Sequence, residues 1–147
     1  MGEVFVSCVI DAPVERLWDL LRDFGGWSEW HPGVRECKIV NGHPGFCPRA
    51  VHRLVLADGS QMQETLLALS DRDRSFAYAL TQSDGPLRDY TASVAVSPVT
   101  ETSQSFLAWS ARYSVNAADE AATTNVVAGI LAAGFDGLRK RLGAASQ

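Results

Sequence analysis

Between Val34 and Val115 the chain breaks into six short segments of alternating apolar and polar residues, each bounded by turn-forming residues. The segments run over about 34–40, 47–57, 60–70, 75–82, 88–97 and 104–115. The breaks are Asn41-Gly42-His43-Pro44-Gly45, Asp58-Gly59, Ser70 to Arg74, Ser83-Asp84-Gly85-Pro86, and Pro98 to Ser103. Connections this short leave no room for crossover helices, so the strands must be consecutive antiparallel neighbours, a meander.

The flanks supply the remaining layer. Val4 to Ile10 is β-branched and aromatic and reads as a strand. Asp11 is placed to cap a helix whose first residue is Pro13. Val14, Leu17, Trp18, Leu21 and Phe24 then recur at helical spacing until Gly25-Gly26 ends the run. Trp27 to His31 reads as one more short helical turn closed by Pro32, and the stretch 119–142 returns to a helical period. Its apolar stripe is Val127, Ile130, Leu131, Gly134, Leu138 and Leu142, with Arg139, Lys140 and Arg141 complementing the dipole of its last turns. A seven-stranded sheet with one apolar face must cover that face, and this long helix is the only cover available. The expected architecture is α+β: a curved antiparallel sheet wrapped round a C-terminal helix, with two short helices after the first strand, in a single domain over residues 1–147.

Composition removes several classes of function. A net charge of −4 with pI near 5.3 provides no basic footprint for nucleic acid. No apolar run approaches the roughly 18 residues of a bilayer span, so no membrane insertion is expected. The start of the chain lacks the basic and apolar regions of a secretory signal. Three cysteines, Cys8, Cys37 and Cys47, form no C-x-x-C pair. His31, His43 and His52 complete no zinc-like spacing, so no metal is expected. The odd count fits a reducing, cytoplasmic setting in which the thiols act as small apolar fillers.

The inner face follows from one hairpin. Read as a two-residue turn, Asp58-Gly59 sets Arg53 opposite Glu64, with Val51 and Val55 beside Arg53 and with Met62 and Leu66 beside Glu64. Phe76, Tyr78 and Leu80, then Tyr90, Ala92, Val94 and Val96, then Leu107, Trp109, Ala111 and Tyr113 continue that face. The opposite face of the hairpin, with His52, Leu54, Leu56, Thr65, Leu67 and Leu69, is also apolar, and the parity there stays open. An inward ion pair is costly unless something polar lies beside it, which a hollow would provide. Gly129, Gly134 and Gly137 in the last helix fit a surface that leaves space, or close packing of helix on sheet.

Several fragments carry a resemblance. Leu17-Trp18-Asp19-Leu20-Leu21-Arg22-Asp23-Phe24-Gly25-Gly26-Trp27 followed by Trp30-His31-Pro32 resembles the opening of the START-like, polyketide cyclase/dehydratase and lipid-transport superfamily. Arg53 before Ala57-Asp58-Gly59, Glu64-Thr65-Leu66, Phe76-Ala77-Tyr78, Asp89-Tyr90-Thr91-Ala92, Ala108-Trp109 and Ala133-Gly134-Phe135 fit the same pattern, so it covers almost the whole chain. The resemblance implies the helix-grip fold and an internal cavity for a hydrophobic small molecule. It does not assign a reaction, because the superfamily spans cyclases, receptors and carriers.

Within that frame, Arg53 would orient a ligand carbonyl and Glu64 would act as base or positioner, or the two would form a structural cross-strand pair. An arginine partner would make Glu64 a poor proton donor, leaving Tyr78, Tyr90 or His31 as general acid. Trp27 and Trp30 would close the cavity mouth or plug the core. Met62, Leu66, Phe76, Trp109, Tyr113, Ile130 and Gly134 complete the expected ligand-binding lining. Asn125 would point into the same space or to solvent. Two functions are carried forward: a cofactor-independent cyclase or dehydratase acting on a polyketide-like substrate, and a non-catalytic carrier or sensor of a hydrophobic ligand. Either would work as a monomer or homodimer.

Overall fold

The computed structural model describes residues 1–83 and 85–145; Asp84, in the expected Ser83–Pro86 turn, lies outside them. The elements in chain order are β1 (Gly2–Ile10), α1 (Val14–Leu21), a 3-10 turn (Trp27–Glu29), β2 (Val34–Ile39), β3 (Val51–Leu56), β4 (Gln61–Ser70), β5 (Ser75–Ser83), β6 (Arg88–Val99), β7 (Gln104–Ser114), a second 3-10 turn (Ala117–Asp119) and α2 (Glu120–Ala145). The seven strands form one curved antiparallel sheet in the order β1-β7-β6-β5-β4-β3-β2. The meander therefore runs from β2 to β7, and β1 closes on β7 from Gly2 opposite Tyr113 to Ile10 opposite Ser105. The helix-grip arrangement expected from the sequence is the one present.

Local boundaries differ in instructive ways. Pro13, not Asp11, occupies the N-cap of α1, and no side chain caps it. The helix stops at Leu21, so Phe24 reaches the core from the loop beyond it rather than from the helical stripe. β3 begins at Val51, because Cys47–Ala50 forms a turn in which the Ala50 N–H donates to the Cys47 carbonyl. Together with its 3-10 lead-in, α2 (Ala117–Gly143) is long enough to cross a membrane, and its most apolar 18-residue window reaches a mean hydropathy of 1.3. In this fold Leu131, Phe135, Leu138 and Leu142 are instead buried core residues.

The largest correction lies in the β3–β4 hairpin. The Gly59 N–H donates to the Leu56 carbonyl and the Leu56 N–H to the Ser60 carbonyl, both at 2.9 Å, with Gly59 at φ +88°. This is a three-residue loop, Ala57-Asp58-Gly59, in which the glycine takes the left-handed position. The pairing therefore slips by one residue, so His52 opposes Glu64 and Arg53 opposes Gln63. Because side chains alternate, the slip exchanges the whole inner face of β3. His52 and Leu54 are buried, while Arg53 stands on the exposed outer face. The expected Arg53–Glu64 pair does not exist.

Candidate functional site

Between the sheet and the first half of α2 lies a cavity of about 340 Å³. Of the residues singled out from sequence, Trp27, His31, Met62, Glu64, Tyr78, Tyr90, Trp109 and Ile130 line it. Val126 and Ile130 both line the space and stand 61% and 46% exposed, which puts its mouth at this face of α2. Asn125 also borders it. The remaining six candidates lie elsewhere. Arg53 borders a separate polar hollow with Gln61, Gln63 and Gln82. Leu66 and Phe76 are buried in the core, and Phe76 packs against Trp18 and Phe24. Tyr113 stacks on Tyr90 but spends its hydroxyl on Thr124 Oγ1 at 2.7 Å. Trp30 and Gly134 belong to a packed seam: a Cβ on Gly134 would sit 3.2 Å from His31 and Trp109 and 3.3 Å from Trp30.

That seam also settles the glycine question. A Cβ on Gly137 would overlap the Trp30 carbonyl and lie 2.8 Å from Pro32, whereas nothing lies within 4 Å of one on Gly129. Two of the three glycines allow the Trp30–Pro32 segment to cross the helix, and only Gly129 borders the open space.

Strand irregularities lie beside the polar residues of the lining. The β4–β5 register shifts between Gln63 and Glu64, and the β6–β7 register shifts between Arg88 and Thr91, beside Asp89 at φ +53°. Such bulges re-aim side chains, here Glu64 and Tyr90. Glu64 Oε1 lies 2.7 Å from Nε2 of His52, whose Nδ1–H donates to the Phe24 carbonyl at 2.7 Å. Both partners of the ring are acceptors, which a doubly protonated imidazolium satisfies. Burial opposes that charge, but hydrogen bonds to Cys37 and Glu64, with the carboxylate's own charge, outweigh it and raise the His52 pKa to about 9. The ring is fully buried and stacked on Phe24 at 3.7 Å. Cys37 is thus more than filler, with Sγ 3.7 Å from His52 Nδ1.

Trp109 Nε1–H donates to the Tyr78 hydroxyl at 3.1 Å, and the Tyr78 and Tyr90 rings pack with centroids 6.3 Å apart. Burial, reinforced by neighbouring Tyr90 and Glu64, lifts the Tyr78 pKa far above its ordinary value. Burial and Glu64 likewise raise that of Tyr90. Both remain hydroxyl donors at any physiological pH. His31 is differently employed. Its Nε2–H donates to the Ile130 carbonyl at 2.9 Å and its Nδ1 accepts the Gly33 N–H at 3.0 Å. Burial lowers its pKa, so it is a neutral strut between the mouth segment and α2. No cluster of metal-binding side chains occurs among the described residues.

Sequence reasoning missed His52 as the partner of Glu64, and with it Leu54 and Leu56 as cavity wall. The available signal was the alternation His52, Leu54, Leu56, which competed with Val51, Arg53, Val55 for the interior.

A curved antiparallel sheet gripping a long helix, with an apolar cavity between them, defines a class of hydrophobic-ligand-binding folds. The chain belongs to the family described as polyketide cyclase / dehydrase and lipid transport, whose model matches residues 1–143. Among solved structures it is similar to XoxI from Bacillus cereus (23% identity, TM-score 0.88), covering 100% of this chain and 99% of that one. A Bacillus thuringiensis protein shares 25% identity (TM-score 0.84; 95% and 97% covered). One domain's worth of the di-domain aromatase/cyclase BexL matches at 14% identity and TM-score 0.83, covering all of this chain and 48% of that one.

Proposed function

We propose that the protein binds a hydrophobic small molecule in its cavity and acts on it as a cofactor-independent dehydratase or cyclase. The observation that carries this reading is that Glu64, Tyr78 and Tyr90 all line one mainly apolar space. A carrier needs only apolar walls, whereas convergent ionisable groups are what proton transfer requires. His52 holds the Glu64 carboxylate in place through Oε1, and the other oxygen has no protein partner. In a β-hydroxyketone substrate, Glu64 removes the proton α to the carbonyl while the Tyr90 hydroxyl supports the developing enolate oxygen. The enolate then collapses to the conjugated enone as the β-hydroxyl departs, taking the proton back from Glu64 and leaving as water. The family description includes both cyclase/dehydrase and lipid-transport activities, which agrees with this reading and with a carrier alike.

The test is dehydration of an aryl β-hydroxyketone, followed by the ultraviolet absorbance of the enone. Wild type should accelerate the reaction, and Glu64→Gln should lose about 10²-fold or more of that acceleration, the usual contribution of a positioned general base. A Glu64→Gln variant as active as wild type would sink the catalytic role. Tight ligand binding without any turnover would favour the carrier.

A further inference from the structure

The charges in and behind the cavity wall also specify what can enter it. Glu64 is the one carboxylate lining the space, and no lysine or arginine lines it among the described residues. Its negative charge is already balanced by the buried His52 imidazolium behind it, 2.7 Å away and itself out of reach of the cavity. The site is therefore neutral as built. One carboxylate oxygen of Glu64, Oε2, carries no protein hydrogen bond and can only accept one. Tyr78 takes the Trp109 N–H, and Tyr90, on the same cavity lining, presents a hydroxyl able to donate. The remaining walls, such as Leu54, Leu56, Met62, Leu80 and Leu131, are mainly apolar, and the other polar side chains among them, His31, Asn125 and the Trp27 indole, carry no charge.

Resting on the ligand-binding reading above, we infer that the cavity selects an uncharged, mainly apolar ligand bearing a hydroxyl or enol, which donates to Glu64 and accepts from Tyr90, and turns away carboxylates and ammonium groups of the same shape. A carboxylate would bring a second acceptor-only anion against Glu64, with no cation left to balance it. An ammonium would compete with His52 for Glu64 and leave one buried positive charge in excess. A hydroxyl satisfies both open valences at no cost in charge.

Four fluorescent probes of one shape separate these cases: pyrene, 1-hydroxypyrene, 1-pyrenecarboxylate and 1-pyrenemethylamine, titrated into the purified protein at neutral pH. Hydroxypyrene should bind tightest, and the carboxylate and the ammonium at least tenfold more weakly than it. In Glu64→Gln the site loses its fixed anion, and the gap between hydroxyl and carboxylate should close to within about threefold. Tyr90→Phe should bring hydroxypyrene down toward pyrene. Equal or tighter binding of either charged probe by wild type overturns the inference while leaving the ligand-binding reading intact. Failure of all four, pyrene included, overturns both.

Discussion

The two halves of α2 have opposite environments. Its second half is packed to contact: Gly134 and Gly137 admit the Trp30–Pro32 segment, and Leu138 and Leu142 are buried. Its first half stands off from the sheet, with Gly129 facing open space and Val126 and Ile130 exposed at the rim of the cavity. Two buried histidines stand behind these regions in opposite charge states. His31 is a neutral strut tied to the backbone at Ile130 and Gly33, and His52 is a cation held by Glu64 and Phe24. One region fixes the helix on the sheet, so the other can leave a volume unfilled. Interiors normally pack tightly, and a cavity persists only where its frame is rigid.

Gly137→Ala should break that frame. Its methyl meets the Trp30 backbone, which cannot rotate away, so a stability loss of more than about 3 kcal/mol is expected by chemical denaturation. A variant within 1 kcal/mol of wild type, on the order of a minor surface change, would show that the seam is looser than its geometry.

The histidines sharpen the comparison through pH. The folded pKa of His52, about 9, lies above its ordinary 6.5, so its contribution is full below pH 6.5 and is lost as pH rises through 9. The loss should reach about 3 kcal/mol at the alkaline limit and disappear in His52→Gln. His31 acts in the opposite sense: burial depresses its pKa, so its neutral form favours the fold above 6.5 and the fold weakens as pH falls below that. Urea midpoints measured across pH for wild type and both His→Gln variants check this, and an alkaline loss that survives in His52→Gln would refute the assignment.

The smallest effect belongs to the open region. Gly129→Ala adds a methyl where nothing lies within 4 Å and replaces a poor helix former. It should raise stability by up to about 1 kcal/mol while narrowing the cavity. A destabilised variant would mean that α2 settles closer to the sheet in solution.

The element order was legible because turn residues and period-two alternation mark every strand of the meander, and because one long amphipathic stretch was left to cover it. The candidate site was legible only in part. Tyr78, Tyr90 and Trp109 lie on strands whose alternation has one reading, and each lines the cavity, as does Glu64 from β4, whose parity the sequence left open. Arg53 lies on a strand with two readings, and Asp58-Gly59 suits both a two-residue turn and the last two positions of a three-residue loop. Helical glycines mark both close approach and open space, and the sequence around Gly129 and Gly137 does not separate them; their neighbours lie about a hundred positions away in the chain.

The three-residue loop at Ala57–Gly59 has a consequence for how such a protein diverges. Point substitution alters the interior one side chain at a time, but deletion of a single loop residue would re-phase β3 as a block. Arg53 would then stand over Glu64 in place of His52, and Val51 and Val55 would replace Leu54 as wall. An arginine cannot shed its proton as a histidine can, so the pocket's ionic character would become permanent in one mutational step. The length of this loop thus decides which face of β3 the pocket sees.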